Sequence, residues 1–251
     1  MATQGGIVLD TTVASIVLAG GKGTRFRQAL STDGQKVLYS VGGKPLIRYT
    51  TDLLVAELVD HIIFNVGYKA EDVRDWVKEQ FFTQRVSFSH QDEWSTYNAV
   101  MNALKRSDAA NVVLCNADEI RLGLDLRDVL AFHRQHGRMM TMVAAERDHL
   151  SRHRVLQIRS SDNVLLGTEY TPARFKQAPS HKGYVNAGIL VFGGQASVLF
   201  DSHHSTTGWG ALLDPLCRRR EIVVYKCSQV NFFNVGTREE LDSAIKFLED
   251  A

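Results

Sequence analysis

Three observations together predict a doubly wound α/β fold built on a mixed sheet. Short apolar runs of strand length alternate with amphipathic helical stretches through residues 15–145. The first run, Ile16-Val17-Leu18, empties into Gly20, Gly21 and Gly23, where a backbone can turn sharply and come close to a ligand. From about residue 154 strand-like runs crowd together, so the second half extends the sheet and forms the other wall of one cleft. At 251 residues the chain has room for one sizeable α/β domain, 14–251, preceded by a tail or edge strand over 1–13.

Each element has its own reason. Residues 15–18 leave no solvent face and read as a buried parallel strand. Residues 46–58 carry helical spacing, and 61–66 form a buried strand that closes at Gly67. A helix follows over 70–80, because Val73, Trp76 and Val77 share one face. Residues 86–89 alternate as a strand, 96–104 are helical, 111–116 are strand, 126–136 helix and 139–145 strand. Beyond them 155–158, 164–168, 184–192 and 222–225 read as strands with shorter helical pieces between. The last element, 237–248, is a helix with Leu241, Ala244, Ile245 and Leu248 on its buried stripe.

A formal charge of +1 gives no reason to expect nucleic acid or an anionic membrane as partner. Arg218-Arg219-Arg220 reads as a solvated helix end. Cys115, Cys217 and Cys227 are widely spaced, with no C-x-x-C, and are expected as free thiols, which points to a reducing compartment. The N-terminus lacks a basic segment followed by an apolar core, and no run approaches membrane-spanning length. The expectation is a cytoplasmic protein with no membrane partner.

Successive N–H groups in a glycine-rich loop converge on anionic oxygens, and Arg25 and Lys36 add positive charge nearby. The dinucleotide fingerprint would need a third glycine at Thr24 or beyond, and a Walker A loop would need G-K-[ST]. Neither is present. Asp118 ends an apolar run, where ligands bind in open α/β sheets, although such an aspartate taken alone is more often a turn or cap residue. Asn234 offers an oxygen to a hard cation or caps the last helix. His149 and His153 are four apart but have no acidic third ligand. They are expected in a solvated loop, as are His133, His136, His203 and His204.

The longer string Leu18-Ala19-Gly20-Gly21-Lys22-Gly23-Thr24-Arg25, then Lys36-Val37-Leu38, then Gly43-Lys44-Pro45-Leu46, resembles the signature of the sugar-1-phosphate nucleotidyltransferases. The resemblance recurs in order along nearly all of the chain. Ala117-Asp118 stands for the family's Gly-Asp, 164–169 for V-x-x-F-x-E, 185–192 for V-N-A-G-I-x-V-F, and 231–237 for a strand ending Asp-Ile-Gly-Thr. It implies a Rossmann-like fold and an enzyme that joins a nucleoside triphosphate to a sugar or cyclitol 1-phosphate, releasing pyrophosphate. It also implies roles. Arg25, Lys36 and Asp118 would be catalytic, and Asp118 and Asn234 would hold Mg²⁺. Leu18, Ala19, Gly20, Gly21, Gly23, Thr24, Gln91 and Thr96 would bind the nucleotide. Glu169, Asn186 and Gly188 would bind the sugar on the strand-rich side of the cleft. A homo-oligomer is compatible with the resemblance.

Departures from the pattern are specific. Gln35 stands for a proline, Ser95 for a glycine, and Tyr170 for a lysine that Lys176 is the candidate to replace. Gln35 and Ser95 keep open a non-catalytic regulatory paralogue that binds nucleotide sugar, and a cytidylyltransferase acting on a polyol phosphate is a further alternative. Retention of Arg25, Lys36 and Asp118 favours an enzyme, and the N-A-G-I strand with Glu169 favours a sugar.

Overall fold

The computed structural model describes residues 12–55, 59–80, 82–91, 95–148, 154–170, 182–193 and 209–250. Four parallel strands carry the first half. β1 (Val13–Leu18) lies at their centre, and the short antiparallel pair β2 (Ser40–Val41) and β3 (Lys44–Pro45) sits apart in its own two-stranded sheet. β4 (His61–Val66) pairs with one side of β1, β5 (Arg85–His90) extends that side, and β6 (Asn111–Asn116) pairs with the other. The chain therefore leaves β1 in one direction and returns on its far side. That reversal makes β1 a topological switch point, and ligands of such sheets bind outside the carboxyl ends of the strands there.

Antiparallel pairing takes over next. β7 (Glu119–Leu122) turns back directly from β6, and β8 (Met140–Arg147), β9 (Arg154–Ile158) and β10 (Leu165–Tyr170) follow. β11 (Gly183–Gly193) is the seam of the nine-stranded sheet. It pairs antiparallel with β6 along one side and with β8 along the other, and meets β9 at Val185. β12 (Ile222–Cys227) runs parallel to β8, and β13 (Asn231–Asn234) pairs with β7 in a separate ribbon.

Helices cover both faces, as period-2 alternation along the strands requires. On one face Val17, Val113, Cys115 and Ile189 pack under α2 (Leu46–Leu54), α3 (Ala70–Lys78) and α5 (Leu126–His136). On the other, Ile16, Leu114 and Leu190 meet α4 (Thr96–Leu104) and α6 (Trp209–Arg218). A smaller cluster joins Phe26 of α1 (Thr24–Leu30) to Ile120, Val235 and the Leu241–Ala244 stripe of α7 (Arg238–Asp250). α7 begins with a capping box: Thr237 Oγ1 accepts from Glu240 N, while Glu240 Oε2 accepts from the N–H groups of Gly236 and Thr237.

Several boundaries move. α2 closes at Leu54 rather than at 58, with 56–58 outside the described residues, and α3 closes at Lys78. β8 runs to Arg147, beyond the predicted 145. The expected tail 1–13 already contributes Val13 to β1, and 1–11 lie outside the described residues. β7 was unread, because its charged Glu119 and Arg121 look like a solvated turn. His133 is not solvated: it is buried, with Nδ1 2.8 Å from Thr141 Oγ1. His136 is held by the Phe132 carbonyl and stacks on its ring. Cys115 and Cys227 are buried and Cys217 half-buried, all free, and burial pushes the first two thiols up to about 11.

Candidate functional site

The carboxyl ends of β1, β4 and β5 are stitched through the backbone before any side chain is placed. Ala19 N–H donates to Asn65 O, Tyr68 N–H to Gly20 O, and Gln91 N–H to Val66 O. Gln35, at the family's proline position, adds its amide: Nε2 donates to Ala19 O at 3.1 Å and Tyr68 O at 2.7 Å. Gly23 then caps α1 in the left-handed region, φ 56°, where an added Cβ would lie 2.9 Å from Cβ of Lys36. Only glycine lets the loop pass that close to the lysine.

A cavity of about 630 Å³ opens at this place. Its wall includes Leu18, Gly20, Gly21, Gly23, Thr24, Arg25, Lys36, Gln91, Thr96, Asp118 and Asn234, so eleven of the anticipated site residues converge. Ala19 does not line it; that residue is fully buried behind the loop. Ser95, in place of a glycine, caps α4 by accepting from Asn98 N–H, which presents Thr96 to the cavity. Lys22, Asn65, Asn116, Glu119 and Gly236 complete the polar part of the wall.

Charge is arranged in two layers. Lys36 is buried, its Nζ 2.6 Å from Asp118 Oδ2 and above the Phe26 ring. Asp118 is the more open partner, 35% exposed against 9% for the lysine side chain. Arg25 is exposed on the cavity side of α1. Behind them lies a pair the sequence reading missed. Glu119 and Arg121 alternate on β7, and both are buried. Glu119 Oε2 accepts from Arg121 Nη2, while Oε1 accepts from the amides of Asn116 (3.1 Å) and Asn234 (3.2 Å). Burial pushes the Glu119 carboxyl up, to about 6, against the pull of Arg121. The signal was present in sequence as E-x-R directly after Asp118, since two charges two apart share one strand face.

Arg121 also explains the V-N-A-G strand. Its guanidinium donates to the carbonyls of Ala187 and Gly188, where β11 shifts register between Asn186 and Leu190. Gly188 has φ +65°, and a Cβ on it would overlap the Glu119 carboxylate. Asn186 Oδ1 accepts from Gly188 N–H at 2.8 Å, so its NH₂ is the end left to donate. Neither Asn186 nor Gly188 lines the cavity; both stand on the strand beside it. Glu169 is on β10 opposite Val155, with its side chain outside the described residues, as are Lys176, His149, His153, His203 and His204.

The donor set fits a hard cation. Asp118 offers a carboxylate, and Asn234, with its amide nitrogen on Glu119, has Oδ1 remaining. Hard divalent cations accept such oxygens and complete their shells with phosphate and water. Among the described residues no three His, Cys, Asp or Glu form a metal cluster.

The sequence matches the family described as "Nucleotidyl transferase" over residues 14–250. It is 25% identical to the D-glycero-alpha-D-manno-heptose 1-phosphate guanylyltransferase of Aneurinibacillus thermoaerophilus, over 70% of this chain and 73% of that protein. It is 28% identical to the bifunctional protein GlmU of Pelobacter propionicus over 76% of this chain, but spans only 40% of that longer protein. The fold matches the crystal structure of HddC from Yersinia pseudotuberculosis with a TM-score of 0.74, covering 93% of this chain and 98% of that one at 23% identity.

Proposed function

Because the chain belongs to the nucleotidyl transferase family, we propose that it joins a nucleoside triphosphate to a sugar or cyclitol 1-phosphate and releases pyrophosphate. The observation that carries the reading is convergence. The glycine loop, Arg25, Lys36, Asp118 and Asn234 come from four separate stretches of sequence, yet they line one cavity at the switch point.

The acceptor's phosphate oxygen attacks the α-phosphorus in line, and the β–γ pyrophosphate departs. Such a transfer needs positioning and charge stabilisation more than covalent participation by the protein. The loop N–H groups cradle the triphosphate. Arg25 and Lys36 bring positive charge to the phosphates, and Lys36 is held ready by its bond to Asp118. Asp118 and Asn234 would hold Mg²⁺, which would supply charge neutralisation to the phosphates. Gln91 and Thr96 face the nucleotide's base end, and Asn186 with Glu169 serves the sugar hydroxyls. Residues 14–251 act as one catalytic unit in this reading, and the free thiols support a cytoplasmic setting.

The relative from Aneurinibacillus, named for a heptose 1-phosphate, supports a sugar phosphate as acceptor. The test is pyrophosphate release from each of the four common triphosphates with Mg²⁺ and a panel of sugar and cyclitol 1-phosphates. At least one pairing should turn over. Silence across the whole panel would leave a binding protein rather than an enzyme.

A further inference from the structure

Among the described residues Arg147 has no bonded counter-ion. It ends β8 half-buried, its Nε–H is buried with no acceptor, and among the described residues its guanidinium makes no hydrogen bond or ion pair. What holds it is aromatic: it lies 5.1 Å from the ring centroid of Phe232 and 5.9 Å from that of Phe233. Glu119 and Glu240 are near enough to act on its charge. Both are engaged elsewhere, Glu119 by Arg121, Asn116 and Asn234, and Glu240 by the N–H groups at the start of α7. Burial draws the arginine below its ordinary pKa, which marks an under-solvated charge. A buried donor left bare costs about 1–3 kcal/mol, and among the described residues only the two rings offset it.

Position says what would. Phe232 and Asn234 are two apart on β13, so they face the same side with Cα atoms roughly 7 Å apart. Arg147, nearest to Phe232, therefore stands beside the strand that carries Asn234 into the cavity wall, without lining that cavity itself. It also lies opposite Gly183, on the strand that carries Asn186.

We propose that Arg147 binds the phosphate of the incoming sugar 1-phosphate, a phosphomonoester dianion, through its Nε–H and one Nη–H. The planar fork suits two phosphate oxygens at once. Arg25 and Lys36, on the glycine-loop side, are left for the triphosphate. This inference rests on the reaction proposed above.

Arg147→Met keeps a stem over Phe232 while removing the fork, and Arg147→Lys keeps the charge alone. Steady-state pyrophosphate release is measured with each substrate varied in turn. The KM for sugar 1-phosphate should rise about ten- to a hundredfold in Arg147→Met, the range for losing a hydrogen bond to a charged group, and less in Arg147→Lys. The KM for the triphosphate should stay put, and the melting temperature should not fall. In parallel, the Arg Nε–H resonance that is missing from Arg147→Met is followed by NMR during titration of the nucleotide-free protein with inorganic phosphate, and separately with pyrophosphate. A shift with phosphate at lower concentration than with pyrophosphate supports the assignment. An unchanged sugar phosphate KM, an equal rise for the triphosphate, or a preference for pyrophosphate overturns it. If wild-type protein releases no pyrophosphate at all, the proposed reaction fails, and the phosphate titration still decides whether Arg147 holds an anion.

Discussion

Arg25 and Lys36 carry the same charge under different conditions, so their removal should read differently. Arg25 is exposed on the cavity side of α1, and Arg25→Ala should leave stability unchanged while lowering kcat about a hundredfold, the range for losing one preorganised charge donor. Lys36→Met should lower kcat at least as far. It should also lower the melting temperature, because it strips Asp118 of its 2.6 Å partner. Stopped-flow turnover beside calorimetry separates the two, and near-normal kcat in both variants would remove the loop from the chemistry. Asp118→Asn leaves two neutral amides where the proposed cation would sit, and turnover should nearly vanish with the fold intact. Full activity in that variant, or turnover undiminished by a chelator, would end the metal reading. These residues were legible because each sits at the end of an apolar run or inside a glycine loop. Glu119 and Arg121 were legible only as two charges sharing one strand face, and Arg147 not at all, since a charged residue shows nothing in sequence of whether it is buried.

At the scale of elements, the sharpest demand falls on β11. Gly188 combines φ +65° with a Cβ position already filled by the Glu119 carboxylate. Gly188→Ala should therefore destabilise by more than the roughly 1 kcal/mol of a left-handed alanine, to about 2–4 kcal/mol once the buried Glu119–Arg121 pair is pushed apart. Urea unfolding measures it, and a loss below about 0.5 kcal/mol, the scatter expected of an ordinary surface change, would show that the pair yields freely. Long elements with a clear period were readable: α5 runs 126–136 as expected, and the Leu241–Ala244 stripe of α7 is buried. The ribbon of β7 and β13 was half read. Asn231–Asn234 was legible as a strand only through the family resemblance, whereas Glu119–Leu122 has its polarity inverted by a buried ion pair.

For the whole molecule, acid is a named weakness. Burial holds His133 neutral in the fold and lowers its pKa from 6.5 to about 4, so the unfolded chain takes up the proton first. Stability from this group is complete above pH 6.5, is lost as pH falls toward 4, and does not fall further below that. The loss is on the order of 2–3 kcal/mol, and His133→Gln should flatten that part of the profile in denaturant midpoints taken from pH 7 to 4.5. A variant with the wild-type slope would place the proton uptake elsewhere. The alternation of strands and helices foretold the layers, but not that β11 would bond to β6 and β8 at once. That shared strand sets how the molecule can move. A sheet paired without a break from β5 to β10 resists rocking of one cleft wall toward the other. Engulfing a substrate falls to the loops at the rim. The radius of gyration in solution should stay the same when both substrates are bound, and heating should melt the chain in one calorimetric step.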